Sequence, residues 1–188
     1  PAVHLFTQSG GKLKFREDDQ VFIPNKYPSD QLSIGSCNGD LSLEDITTNT
    51  VLSVKKFLNI NKTDYKTFEI ITGINKSKRN IWLLPSDKIL GKTKSFVDYQ
   101  NDATAKDIKL ALREGFRSIE HVKRYTTTGM GTDQGKLGNM HALGIISETA
   151  GTKMGEHGTT TFRPPYTPLT FGTIVGRNVG EFFDIIRR

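Results

Sequence analysis

Three glycines fall within seven residues of this chain, directly after a run of three threonines. The glycines are Gly129, Gly131 and Gly135, and the threonines are Thr126–Thr128. Glycine adopts left-handed backbone conformations without steric cost, so this stretch ends the preceding helix and forms a loop. Two cations, Lys123-Arg124, occupy what should be the last helical turn before it. Such a loop can offer N–H groups, hydroxyls and positive charge to an anion such as a phosphate.

Helix signals surround the loop. Thr104 with Asp107 three residues later predicts a capped helix start, and Gly115 predicts the end of that helix. A second helix is expected from about Ser118. A third is expected from about Asp133, which would be its N-cap rather than a metal ligand. The segment therefore predicts a compact module of three helices and a glycine loop.

The residues before this module predict extended and helical elements. Weak alternation over Val3–Thr7, a turn signal at Ser9–Gly11 and apolar residues over Leu13–Ile23 predict a β-hairpin. Ile34–Asp40 is a glycine-bearing turn, and a helical apolar pattern with Ser42 as N-cap follows it. A turn at a helix N-terminus can hold a phosphate or ribityl group, although a plain structural turn is the more common case.

Three further segments carry weaker signals. Apolar runs at Phe68–Ile74 and Ile81–Pro85 predict one or two strands in a surface-exposed connection. The prolines after Phe162 demand an extended path, which would suit an arm lying on a partner. Thr170–Gly176 predicts a strand or a close-packed turn, and Glu181–Arg188 predicts the beginning of a helix or a linker.

Composition argues against several classes of function. The net charge of +6 comes from basic residues that are scattered without interleaved aromatics, so nucleic acid is not the expected partner. No apolar run reaches the length of a membrane span. A single cysteine, Cys37, argues against a disulfide framework and a thiolate cluster and favours the cytoplasm. No paired acid and base or activated nucleophile is present, so neither a catalytic residue nor a metal ligand is predicted.

The glycine loop matches neither common nucleotide motif. A Walker loop requires a glycine where Met130 stands, and a serine or threonine in place of Leu137. A dinucleotide fingerprint requires a third glycine where Gln134 stands, and a strand before the loop.

The loop and its surroundings instead resemble the alpha subunits of heterotetrameric sarcosine oxidases. The resemblance is carried by F-V-D-Y-Q-N-D-A-T and by E-G-F-R-S-I-E-H-V-K-R-Y-T-T-T-G-M-G-T-D-Q-G-K, both within Phe96–Asn139. It continues through Gly158–Pro168 and reaches back, less sharply, to Val3–Phe6.

The resemblance implies an α+β architecture in four parts. Residues 1–58 would be the end of an NAD-binding domain, contributing a β-hairpin and a helix, and residues 59–94 a connection. Residues 95–150 would be a small three-helix module, and residues 151–188 an extended, proline-containing arm. A folate-binding domain would follow in such a subunit.

The module also resembles small ferredoxin-like domains that hold a two-iron, two-sulfur cluster in related amine and amino-acid dehydrogenases. Asp98, Gln100, Asp133 and Gly138 stand where those domains have their four cysteines. No iron–sulfur cluster is therefore expected. This departure is one that sarcosine oxidase alpha subunits share.

The resemblance implies oxidative demethylation of sarcosine in a multisubunit oxidoreductase, with this chain inactive alone. Sarcosine would be oxidised on FAD in a beta subunit, and electrons would pass to an FMN held between the alpha and beta subunits. NAD would find at most a partial site here. The predicted cofactor-binding residues are Lys123, Arg124, Thr126, Thr127, Thr128, Gly129, Gln134, Lys136, Gly35 and Asn38. The alternative is a non-catalytic interaction or scaffold module of a flavin-dependent amine or amino-acid dehydrogenase.

Overall fold

Short helices and two small antiparallel strand pairs make up the computed structural model, which describes residues 2–28, 30–61, 80–88, 92–163, 167 and 169–175. The strands are β1 (Lys12–Arg16), β2 (Val21–Lys26), β3 (Phe96–Asp98) and β4 (Ala103–Thr104). The helices are α1 (His4–Gln8), α2 (Leu43–Leu58), α3 (Ala105–Arg113), α4 (Ile119–Thr126), α5 (Asn139–Ala150), α6 (Met154–His157) and α7 (Phe171–Val175), with a 3-10 helix at Gly35–Asn38. Across these ranges, no helix combines the length and apolar character needed to cross a bilayer.

The predicted hairpin is confirmed for β1 and β2, which pair antiparallel with Phe15 opposite Phe22. The extended path predicted for Val3–Thr7 is wrong, because that segment lies largely in helix α1. Phe6 fixes the helix against the chain that follows, since its ring occupies the space that a side chain at Gly11 would need. Burial of one aromatic ring outweighs the weak alternation of the sequence here.

Helix α2 begins as predicted, with the Ser42 side chain accepting a hydrogen bond of 3.0 Å from the Asp45 amide. None of its residues is buried. Its apolar face leaves Leu43, Phe57 and Leu58 exposed by 53%, 54% and 57%. Burial within the described residues therefore contributes little to the stability of this helix.

The first two helices of the module are confirmed. Helix α3 follows a complete capping box between Thr104 and Asp107, and Ser118 is the N-cap of α4. The third helix begins at Asn139, later than predicted. Gln134 and Gly135 both have left-handed backbones, at φ +52° and +71°, so no helix can run through them.

Asp133 is therefore not a helix N-cap. Its Oδ1 accepts a hydrogen bond of 3.1 Å from the amide of Gly135, two residues later. This is the short-range turn that aspartate forms when it caps a loop instead of a helix.

Helices α3, α4 and α5 enclose the core together with the hairpin. The buried cluster consists of Phe22, Ala105, Ile108, Ala111, Leu112, Ile119, Val122, Ala142, Leu143, Ile145, Ile146 and Met154. Phe22 comes from β2, so the hairpin and the helical module share one apolar core. This arrangement fixes the glycine loop between α4 and α5. The domain boundaries suggested by the sequence remain predictions.

Two predicted strands differ from the structure. Ile81–Pro85 forms no strand; Trp82 instead packs directly over Gly144 of α5, in space that any Cβ there would fill. Thr170–Gly176 includes helix α7 rather than a strand. The strand predicted at Phe68–Ile74 and the helix or linker predicted at Glu181–Arg188 lie outside the described residues.

Replacing Thr104 by alanine is expected to lower the free energy of unfolding by about 1 kcal/mol, because the capping box of α3 is lost. The matched control is Ser118→Ala, since Ser118 is the N-cap of α4 but its side chain makes no capping hydrogen bond. Urea denaturation of both variants measures the difference. Equal losses in the two variants would contradict a specific role for the Thr104 side chain.

Candidate functional site

A cleft with a volume of about 1000 Å³ lies beside the end of α4 and the glycine loop, and it is larger than a second cavity of about 310 Å³. It is lined by Gln8, Glu120, Lys123, Arg124, Gly129, Met130, Gly131, Gln134, Thr161, Phe162 and Arg163. Four of the predicted site residues are brought together here: Lys123, Arg124, Gly129 and Gln134. The others lie elsewhere.

Positive charge dominates the cleft, whose lining includes three cations and a single carboxylate, that of Glu120. Arg124 pairs with this carboxylate at 3.2 Å and donates a hydrogen bond of 2.9 Å to the Glu120 carbonyl oxygen. Lys123 lies in the last turn of α4, and Arg163 comes from the segment after α6. The cleft thus has a net positive charge suited to a phosphate-sized anion.

Arg163 belongs to an arm, residues 158–163, that returns along the glycine loop. The amide of Arg163 donates to Gln134 Oε1 at 3.0 Å. The Thr160 hydroxyl is buried and accepts a hydrogen bond of 2.9 Å from Asn139 Nδ2 at the start of α5. Gln134, predicted as a ligand contact, therefore also holds the arm against the loop.

Three lining residues had no signal in the sequence analysis of the site. Gln8 in α1 has a buried Nε2 that makes no hydrogen bond within the described residues. Met130, in the glycine loop, and Phe162, in the arm, add apolar surface to the cleft. Only the tertiary packing of α1 and the arm against the loop reveals these residues.

The three threonines line neither cleft. Thr126 Oγ1 donates to the carbonyl oxygen of Val122 at 2.8 Å, and the Thr127 hydroxyl donates to the Thr126 carbonyl oxygen at 2.6 Å. Thr128 is buried, with 2% of its surface exposed. The threonine side chains therefore form hydrogen bonds within the end of α4.

The backbone amides of the loop also donate hydrogen bonds to oxygens of the protein itself. The Gly129 amide donates to Asp98 Oδ2 at 2.7 Å, and the Met130 amide donates to the Thr127 carbonyl oxygen at 3.1 Å. The amides of Gln134, Gly135, Lys136 and Asn139 likewise donate to protein oxygens. The cleft therefore attracts an anion through side-chain charge and not through a cradle of these amides.

Asp98 and Gln100, two of the four positions that the ferredoxin-like resemblance aligns with cysteines, contact the loop through hydrogen bonds. Gln100 Nε2 donates to Thr132 Oγ1 at 2.9 Å, and Gln100 Oε1 accepts from the Asp133 amide at 3.4 Å. Gly138 packs against β3, where an added Cβ would lie 2.5 Å from the Val97 carbonyl oxygen. Among the described residues, no cluster of three or more His, Cys, Asp or Glu side chains could hold a metal ion.

The pKa of the Asp98 carboxyl lies below its usual range. Burial alone would raise this pKa, but the hydrogen bonds from the amides of Gly129, Asn101 and Gln100 and from the Asn101 side chain outweigh burial. The carboxylate is thus held in its charged form.

Lys136 lines the second, smaller cavity, of about 310 Å³, which lies on the other side of the arm. His4 stacks on Phe162 there, with ring centroids 4.8 Å apart. Burial and the nearby charge of Lys136 lower the pKa of His4 below 6.5. Trp82 also lines this cavity. The Trp82 ring packs edge-on against the His141 ring, with ring centroids 6.0 Å apart.

Gly35 and Asn38 lie in the 3-10 helix before α2 and line neither cavity. This turn packs against the hairpin, because Arg16 Nη2 donates to the Gly39 carbonyl oxygen at 2.8 Å. Gly35 and Asn38 are therefore separate from the cluster around Lys123.

Comparisons with known proteins give a consistent result. Residues 92–177 match the family described as the sarcosine oxidase A3 domain. A sarcosine oxidase subunit alpha of Rhizobium meliloti (strain 1021) is 49% identical over 113 residues, covering 60% of this chain and 11% of that protein. A second, from Corynebacterium sp. (strain P-1), is 35% identical over all of this chain and 20% of that protein. The chain thus spans at most about a fifth of these relatives.

A solved structure shares the fold. The crystal structure of L-proline dehydrogenase from P. horikoshii superposes with a TM-score of 0.59 over 94% of this chain and 37% of that one, at 19% identity. The mixed helical and small-sheet architecture is therefore one found in a known dehydrogenase chain.

Proposed function

The chain belongs to the family of sarcosine oxidase alpha subunits through its A3 domain, and we propose that it forms one wall of an FMN site in a sarcosine oxidase-like complex. The other wall is a flavoprotein beta subunit. The complex as a whole carries out oxidative demethylation of sarcosine, and this chain contributes cofactor contacts without catalytic side chains. FMN, when bound, supplies the electron transfer, while the chain's residues bind and orient it.

The observation that carries this proposal is the cleft lined by Lys123, Arg124 and Arg163. An FMN phosphate bears nearly two negative charges, and the cleft offers three positive charges against one carboxylate. Its volume lies at the upper end of the roughly 300–1,000 Å³ that small-molecule sites occupy. Charge and size both fit a flavin mononucleotide shared with a second chain.

The remaining lining residues suit the rest of the cofactor. Met130 and Phe162 present apolar surface for a planar ring, and the Gln8 side chain, which lines the cleft, offers a polar contact to a ring or ribityl oxygen. NAD is proposed only at a partial, separate site around Gly35 and Asn38. No iron–sulfur cluster is proposed.

An interaction or scaffold role is the second candidate. The apolar face of α2 favours it, because Leu43, Phe57 and Leu58 remain more than half exposed. In that case the chain assembles with other subunits but holds no flavin. Flavin content separates the two functions, whereas assembly alone does not.

The direct test is co-expression of the chain with a flavoprotein beta subunit, native mass measurement and flavin extraction. We expect FMN in the assembled complex in addition to FAD. An assembled complex with FAD alone would overturn the FMN site and favour the scaffold role.

Replacing Gln8 by leucine in this complex is expected to weaken FMN binding about tenfold, because a polar side chain that lines the cleft is replaced by an apolar one. The matched control is Gln31→Leu, which removes an exposed side chain that bonds Ser9. Flavin fluorescence during dialysis measures the release of FMN. Equal retention in both variants would exclude Gln8 from the site.

A further inference from the structure

Asp98 connects β3 to the glycine loop from a buried position, with 7% of its surface exposed. Its Oδ1 accepts hydrogen bonds from the amides of Gln100, at 2.9 Å, and Asn101, at 3.1 Å. Its Oδ2 accepts from the Asn101 side chain at 3.2 Å and from the Gly129 amide at 2.7 Å. One oxygen thus closes the local turn, and the other reaches a residue 31 positions away.

Both oxygens must accept hydrogen bonds for this arrangement to exist. An ionised carboxylate can accept at both, whereas an asparagine side chain has only one acceptor oxygen. The hydrogen bonds favour the charged form of Asp98. The link between β3 and Gly129 is therefore a charge-assisted bond, which is shorter and stronger than a bond between neutral groups.

The backbone of Gly129 is tightly constrained. Its φ of +73° lies in the left-handed region, and an added Cβ would overlap the Asn139 side chain. Gly129, Met130 and Gly131 together line the larger cleft. The hydrogen bond from Gly129 to Asp98 thus fixes the part of the loop that faces a ligand.

A second contact supports the same segment. The Gln100 side chain and the Thr132 hydroxyl bond to each other at 2.9 and 3.2 Å. The Gln100 side chain also lies directly against Gly131, where it leaves no room for a Cβ. The two contacts come from Asp98, the last residue of β3, and from Gln100 in the turn that follows, and they hold the loop at both ends of Gly129–Thr132.

We propose that Asp98 is a positioning residue of the larger cleft, holding Gly129–Gly131 in the conformation that receives the cofactor, with Gln100 as a secondary support. The positioning of the loop follows from the hydrogen bonds alone. Its effect on FMN rests on the function proposed above. Asp98 acts through the loop and does not itself line the cleft.

The test uses the co-expressed complex with Asp98→Asn, which preserves the shape of the side chain and removes one acceptor oxygen. Hydrogen exchange of the segment Gly129–Gly131 is expected to accelerate roughly tenfold to a hundredfold, the range expected for losing a hydrogen bond to a charged group. FMN release is expected to accelerate about tenfold. The matched control is Asp102→Asn, an exposed aspartate in the same turn whose backbone φ of +52° asparagine also tolerates.

The outcomes separate the two proposals. Faster exchange together with faster FMN release supports both. Faster exchange with unchanged FMN release keeps the positioning role but overturns the cleft as the FMN site. Unchanged exchange at Gly129–Gly131 overturns the positioning role, whatever happens to the flavin.

A second variant covers the case in which Asp98→Asn fails to fold. Gln100→Leu removes the contacts with Thr132 and Asp133 and leaves the Asp98 carboxylate in place. We expect a smaller acceleration of exchange, about tenfold or less, centred on Gly131–Asp133. Unchanged exchange there would contradict support of the loop by the turn after β3.

Discussion

Replacing Lys123 and Arg163 together by alanine is expected to lower the affinity of the complex for FMN by about a hundredfold. These cations come from different segments, the last turn of α4 and the arm after α6. Arg124 cannot compensate fully, because it pairs with Glu120 at 3.2 Å. Removing both positive charges leaves one cation, Arg124, facing one carboxylate, and the net positive charge of the cleft disappears.

The measurement is the dissociation constant of FMN, from flavin fluorescence, at low and at high ionic strength. The parent complex should lose affinity as salt rises, and the double variant should respond much less, because salt screens exposed charges. The control is Lys109→Ala with Arg113→Ala on α3, which removes the same total charge outside the cleft. An equal loss in the control would show a nonspecific effect of net charge.

Introducing cysteine at Gly138 is expected to lower the free energy of unfolding by about 3 kcal/mol, near the upper end of the overpacking range. The new Cβ would lie 2.5 Å from the carbonyl oxygen of Val97, which is backbone and cannot rotate away. The neighbouring variant Leu137→Cys introduces the same side chain at a position that is 80% exposed. It should change stability by less than about 0.5 kcal/mol.

Urea denaturation of the two cysteine variants, under reducing conditions, measures this difference. Similar midpoints would mean that β3 shifts away from α5 at little cost. The expected difference also bears on whether this module could hold a cluster. β3 and the start of α5 approach too closely for a cysteine at Gly138, so placing cysteines at Asp98, Gln100, Asp133 and Gly138 would not by itself build a cluster site.

Local sequence patterns predict several of the helices and strands correctly. The capped starts at Thr104 and Ser42, the helix beginning after Ser118 and the β1–β2 hairpin depend on residues close together in the chain, and the structure confirms them. Helix α1 escaped prediction because its stability depends on the burial of Phe6 beneath Gly11. Long-range packing of this kind leaves no periodic signal.

The sequence predicts part of the lining of the candidate cleft, for a similar reason. Lys123 and Arg124 were recognisable because position at a helix end is a local property. The acceptors of the loop's hydrogen bonds cannot be recognised from the sequence, because Gly129 donates to an aspartate 31 residues away. Gln8 reaches the cleft only through the packing of α1. Asp98 had one usable signal, since an aspartate followed closely by Asn101 is typical of a side-chain-capped turn.

The contact of Trp82 with Gly144 also makes the chain its own spectroscopic reporter. Trp82 is the single tryptophan of the sequence, so its emission comes from one place. The indole lies against α5 and lines the smaller cavity. Changes in its emission therefore report on the junction between residues 80–88 and the helical module, without any added label.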